Sequence, residues 1–116
     1  MRHSDRNRKF GREIDARRAL LKGLAAALIE RGRIRTTEAK AKSLRPLVEK
    51  LVTKARRGDL SSQRLVFSYL GAPLAAAKLI REIAPRYAGR PGGYTRINKL
   101  PRRSSDGGRM AMIEFV

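Results

Sequence analysis

One stretch constrains the fold more than any other. From Thr36 or Thr37 to about Arg57, apolar residues recur at Ala41, Leu44, Leu47, Val48, Leu51, Val52 and Ala55. On a helix they fill one arc of roughly 140°, a core-facing stripe that cannot stand alone in water. Either threonine can cap the helix start, and Gly58 ends it. Lys42, Arg45, Glu49 and Arg56 lie opposite the stripe. Pro46 falls inside the helix on that polar side, so the sequence predicts a kink or a split there.

The rest of the chain must cover this stripe. Residues 16–31 predict a helix, with Asp15 as N-cap and Gly32 at its end. It is apolar nearly all round (Leu20, Leu21, Leu24, Ala25, Leu28 and Ile29 against Ala19, Gly23, Ala26 and Ala27), which predicts the most buried element. Asp59 or Ser61 caps a third helix over 63–70, with Leu65, Val66, Tyr69 and Leu70 as its buried face. Pro73 opens a fourth that runs to about Ala84, with Leu74, Ala77, Ile80 and Ala84 in one row, Leu79 and Ile83 beside it, and Pro85 limiting it. Residues 33–36 read as a short strand with Ile34 inward and Arg33 and Arg35 outward. Tyr94–Leu100 and Arg109–Val116 read as a hairpin around the loop PRRSSDGG. A lone hairpin is marginal, so it should pair with the 33–36 strand. The expected fold is two-layer α+β, in the order helix, strand, three helices, two strands. A small three-stranded mixed sheet packs on the helices, and residues 1–12 form a basic extension to a single domain over 13–116. With 116 residues, two full domains do not fit.

Charge speaks to function. Twenty-eight Lys and Arg against ten Asp and Glu leave a formal net charge of +18. Such self-repulsion is costly, and a polyanion that neutralises it is the simplest explanation. Arg outnumbers Lys twenty to eight, which favours close, forked contact with phosphate. There is no cysteine and one histidine, His3, so thiol chemistry, thiolate metal sites and His-based triads find no support. No cofactor and no metal are expected. No apolar run approaches the ~20 residues that cross a bilayer. Asp5, Glu13 and Asp15 argue against an organelle transit peptide, and the expected place is the cytosol.

The candidate contacts to RNA cluster in runs. Residues 1–12 hold Arg2, His3, Arg6, Arg8, Lys9 and Arg12 on an arm that would order on RNA, with Phe10 on a base or capping the core. Arg17 and Arg18 continue this charge into the first helix. Residues 86–97, RYAGRPGGYTRI, offer Arg86, Arg90 and Arg96 for phosphate, Gly92 and Gly93 for close backbone approach, and Tyr94 for stacking or for anchoring the loop. Arg102 and Arg103 sit on a hairpin loop that can reach into RNA, and Lys40 and Lys42 sit on the second helix. The carboxylates Glu38, Glu49, Glu82 and Glu114 are scattered and read as partners for nearby Arg, not as an acid–base pair. The glycines precede a strand and follow a helix, the reverse of a nucleotide-binding loop.

MRH at the start, RIRTTEAKAKSLRPLVEKLVTKARRGD in the middle, and RYAGRPGGYTRI followed by MAMIEFV resemble the bacterial large-subunit ribosomal protein family numbered seventeen. The blocks stand in that family's order and span nearly the whole chain. The stretch GREIDARRALLKG departs from the pattern, with Ala16 where the family commonly has His. The resemblance implies an α+β fold, binding to large-subunit ribosomal RNA, contacts with neighbouring ribosomal proteins as a monomer within the ribosome, and no catalysis. It implies no small-molecule substrate and no membrane. A nucleoid-type DNA binder would use the same charge, but no helix-turn-helix, zinc-finger or basic-zipper pattern is present. An RNA-acting enzyme lacks a visible acid–base pair. The helix stripes are core-sized, which disfavours a peripheral membrane protein.

Overall fold

A computed structural model describes residues 13–116. The elements follow the order α1 (Ile14–Arg31), β1 (Arg33–Thr37), α2 (Glu38–Arg57), α3 (Leu60–Leu70), α4 (Pro73–Lys78), β2 (Thr95–Leu100) and β3 (Met110–Phe115). This is an α+β fold with helices laid on one face of a small sheet.

Helix α2 is the keystone. Thr37 caps it, its side-chain oxygen accepting from the Lys40 N–H at 3.3 Å. Every stripe residue except the half-buried Leu47 is buried. The helix is not split at Pro46, which sits exposed in an unbroken run. On that face the carbonyl orphaned by the missing N–H meets water, so the helix continues. Gly58 closes it with φ of 75°, the left-handed conformation that a β-carbon would strain.

Helix α1 overturns the expectation that it is the most buried element. Only Ala25, Leu28 and Ile29 are buried, against six residues of α2. Its opening turns are exposed, Ile14 at 56% and Ala16 and Ala19 with it. Apolar character all round thus reflects small residues, not enclosure. The helix also starts earlier than predicted. Glu13 takes the N-cap position, and Asp15 lies inside the first turn, where its charge faces the positive end of the helix dipole.

Helix α3 is capped by Asp59, whose Oδ2 accepts from the Ser62 N–H at 3.2 Å. Its buried face is Ser62, Val66 and Leu70. Leu65, predicted inward, is 52% exposed, and Tyr69 is half-buried. Helix α4 runs on through a π-helical turn (Leu79–Ile83) and a 3-10 turn (Ala84–Tyr87). Pro85 explains both. It has no N–H, and its ring crowds the carbonyl four residues back. The chain widens, the Ala84 N–H reaching Leu79 O, and then tightens, the Ala88 N–H reaching Pro85 O. Of the predicted face, Leu79, Ile83 and Ala84 are buried and Ala77 and Ile80 half-buried, while Leu74 is 84% exposed and Ala75 and Ala76 are buried in its place.

The sheet has the order β1–β3–β2 and is antiparallel throughout, not mixed. Both β1 and β2 pair antiparallel to the central β3, so the two parallel strands never touch. Arg109 lies in the hairpin loop and not in the strand. Ile34, Thr36, Thr95, Ala111 and Ile113 face the helices and are buried. Ile34, Ala111 and Ile113 join the second half of α1, α2, α3 and α4 in one core.

Candidate nucleic-acid interface

The segment between the 3-10 turn and β2 is locked to α2 by one carboxylate. Glu49 Oε1 accepts from the N–H groups of Gly93 (3.1 Å) and Tyr94 (3.3 Å). Its Oε2 accepts from the Thr95 N–H (2.9 Å) and the Thr95 hydroxyl (2.8 Å). Successive amides wrapped around an anion form a nest. Here the anion is the protein's own, and Gly93 supplies the φ of 66° that the curl needs. Glu49 was expected to pair with an arginine, but it holds the loop backbone instead. Arg56, two turns further along α2, donates to Arg90 O and to the Tyr94 hydroxyl. That hydroxyl in turn donates to Arg90 O at 3.2 Å.

Both tyrosines belong to the core. Tyr94 is 0% exposed, and its ring lies 5.1 Å from that of Tyr87 at 55°. The Tyr87 hydroxyl donates to Val116 O at 2.6 Å, and burial pushes its pKa up. Arg86, Arg90 and Gly93 are exposed and Gly92 half-exposed on the loop these anchors hold. Arg90 Nε folds back to Gly92 O at 3.2 Å.

The sheet has a face that the helices leave open. Register places Glu114 between Arg33 and Arg96, and Met112 between Arg35 and Asn98. All three arginines are exposed. Arg96 Nε donates to Glu114 Oε1 at 2.7 Å, and Asn98 Nδ2 reaches the same oxygen at 3.1 Å. The Arg96 hydrogen bond, with the charges of Arg96 and Arg33, holds the Glu114 carboxyl below its usual value. Two guanidinium groups thus flank one carboxylate, with that of Arg35 further along the same face. Sequence reasoning named Arg96 for this role but not Arg33 or Arg35. Their outward alternation was legible, whereas the register that sets them beside Arg96 was not.

At the hairpin tip, Arg103 clasps Asp106 through two bonds of 2.9 Å and braces the turn. The pair lowers the Asp106 pKa and raises that of Arg103. Arg102 beside it is exposed. At the start of α2, Glu38 binds Lys42 at 2.9 Å and lies 3.9 Å from Lys99, and the Lys42 hydrogen bond chiefly lowers its pKa. Lys40 is half-buried there, next to the Thr37 cap. Arg17 is half-buried and Arg18 exposed on the first turns of α1. Arg2, His3, Arg6, Arg8, Lys9, Phe10 and Arg12 lie outside the described residues. The structure therefore gathers Arg90, Gly92 and Gly93 on one loop, with Arg86 on the 3-10 turn that leads into it, and Arg96 on the open sheet face. Arg102 and Arg103 are at the tip, and Lys40 and Lys42 at the α2 start. Among the described residues, no group of three or more His, Asp or Glu could hold a metal ion, and no helix is long and apolar enough to cross a membrane.

Fold and surface define a small α+β protein with a strongly basic exterior. The family model for ribosomal protein L17 matches residues 20–116. The chain is 53% identical to the large ribosomal subunit protein bL17 of Gemmatimonas aurantiaca, over 100% of this chain and 98% of that protein. It is 53% identical to bL17 of Helicobacter hepaticus over the whole of both chains, and 49% identical to bL17 of Thermomicrobium roseum over 100% and 99%. The chain belongs to the ribosomal protein L17 family: it is a structural protein of the ribosome and not an enzyme.

Proposed function

We propose that this protein sits in the cytoplasmic large ribosomal subunit, as a monomer, and clamps large-subunit ribosomal RNA beside neighbouring ribosomal proteins. The open sheet face carries this reading: Arg33 and Arg96 flank the carboxylate of Glu114, and Arg35 lies one register pair along, opposite Met112. That excess of guanidinium on a flat, solvent-facing platform suits phosphate oxygens. The 86–94 loop extends the platform through Arg86 and Arg90, with Gly92 and Gly93 admitting RNA closely and Tyr94 holding them from within. Arg102 and Arg103 reach from the tip, and Lys40 and Lys42 add charge at the α2 start. Residues 1–12, with Arg17 and Arg18, act as a basic arm on the single domain 13–116. No small-molecule ligand is needed for this role.

Sedimentation of lysate on sucrose gradients tests the location: the protein is expected to co-migrate with the large subunit at low salt, and free protein at the top of the gradient rejects it. Binding of purified protein to ribosomal RNA tests the mechanism. Neutralising ~6–10 phosphates predicts affinity falling ~10³–10⁵-fold between 50 and 200 mM salt. Duplex DNA that competes equally with structured RNA would favour a nucleoid-type DNA binder instead.

A further inference from the structure

We propose that α2 carries a second RNA site, separate from the open sheet face, for a single-stranded segment of a loop or bulge. The proposal rests on the RNA-binding reading above. Lys50, Lys54 and Arg57 recur at helical spacing, about 6 Å and then about 4.5 Å apart along the axis. Lys50 and Lys54 form no ion pair among the described residues, while Arg57 feels the nearby Asp59. Their ridge divides two grooves. One, of about 360 Å³, is walled by Lys50, Lys54 and Arg57 on one side and Pro91 and Gly92 on the other, over Thr53. The second, of about 310 Å³, runs between α2 and α3, lined by Leu47, Leu51, Leu65 and Tyr69, with Lys50 and Lys54 on its rim.

Charge and size together select the occupant. Both grooves lie at the small end of the ~300–1,000 Å³ range of ligand sites, enough for a nucleobase but not for a protein helix or a duplex. A strand whose backbone follows the cationic ridge can drop bases to either side. This is the pattern by which basic tracks and apolar platforms hold unpaired RNA. Leu65, half-exposed against the sequence expectation, and the half-buried Tyr69 give the second groove its apolar floor. The carboxylate lining the first groove, Glu49, would oppose phosphate, but its oxygens are engaged by the loop donors at Gly93, Tyr94 and Thr95.

The test uses the full chain and two probes, an unstructured oligouridine and a fully paired RNA hairpin. The K50Q/K54Q double variant is compared with R33Q/R35Q on the sheet face, after circular dichroism shows that each is folded. Loss of two phosphate contacts lowers the salt slope of oligouridine binding by about 1.4, at ~0.7 per phosphate for single strands. K50Q/K54Q is expected to show that drop while hairpin binding holds, and thiouridine in the oligomer is expected to cross-link to peptides containing Leu65, Tyr69 or Pro91. R33Q/R35Q is expected to weaken binding of the paired hairpin, which K50Q/K54Q leaves intact. An unchanged slope in K50Q/K54Q, or cross-links confined to the sheet face, overturns the second site and leaves the sheet-face reading intact. Wild-type protein that binds neither RNA defeats both. Displacement of bound oligouridine by an equimolar acidic peptide overturns the site in favour of a protein partner.

Discussion

Glu49 shows how one side chain can decide the shape of a distant loop. Its two oxygens take four donors from Gly93, Tyr94 and Thr95, so the carboxylate does for this loop what a bound anion does for a phosphate-binding nest. Glu49→Ala leaves those donors without their partner, at an expected cost of about 1–3 kcal/mol in stability by urea denaturation. Amide exchange at residues 93–95 should accelerate more than exchange in α1. Tyr94→Phe removes a buried hydroxyl that accepts from Arg56 and donates to Arg90 O, and should cost about 1–2 kcal/mol in the same assay. Sequence made the glycines and tyrosines of this loop visible, and it read Glu114 correctly as a partner of a nearby Arg. It could not foresee the partners of Glu49, because the donors lie more than forty residues away and three of the four are backbone groups that no side-chain pattern announces.

The elements differ in how much of them local chemistry dictates. The α2 stripe, its threonine cap and the glycine after it are legible because each follows from spacing within one helix. Ile34, Ala111 and Ile113 facing inward follows equally from strand alternation. The exposure of α1, and of Leu74 at the start of α4, was not legible. Each depends on what packs nearby. Two substitutions probe this level. Pro46→Ala should stabilise α2 by about 2 kcal/mol, the helix-interior penalty of proline less its restraint on the unfolded chain, read as a higher urea midpoint. Gly58→Ala should destabilise by about 1–2 kcal/mol, since φ of 75° is a strained conformation for alanine.

Across the molecule, two electrostatic effects run in opposite directions with salt. The free protein, at +18, repels itself, so added salt should raise its melting temperature by screening. The same salt should weaken RNA binding, and the two trends together separate folding from association. Acid acts through the paired carboxylates. Glu38 and Glu114 are held below the ordinary 4.5, and Asp106 and Asp59 below 3.8, by Lys42, Arg96, Arg103 and the side-chain and backbone hydrogen bonds of Ser62 respectively. The folded state therefore binds fewer protons than the unfolded one near these values. The stability these groups contribute is complete above the unfolded pKa and is lost as pH falls through the folded pKa. Thermal melts should be flat above about pH 5 and decline towards about pH 3, and a midpoint that rises on acidification would contradict the assignment.

The strand order also sets a timetable. β3 is the central strand, yet roughly seventy residues separate it from β1, its partner on one side. At ~5–20 residues per second of synthesis, β1 waits several seconds for the strand that completes it. Through that interval an unpaired strand edge is open to any other chain in reach. Arg33 and Arg35, exposed on that strand, put on it the kind of charge that discourages edge pairing, above all with a second copy of this basic chain.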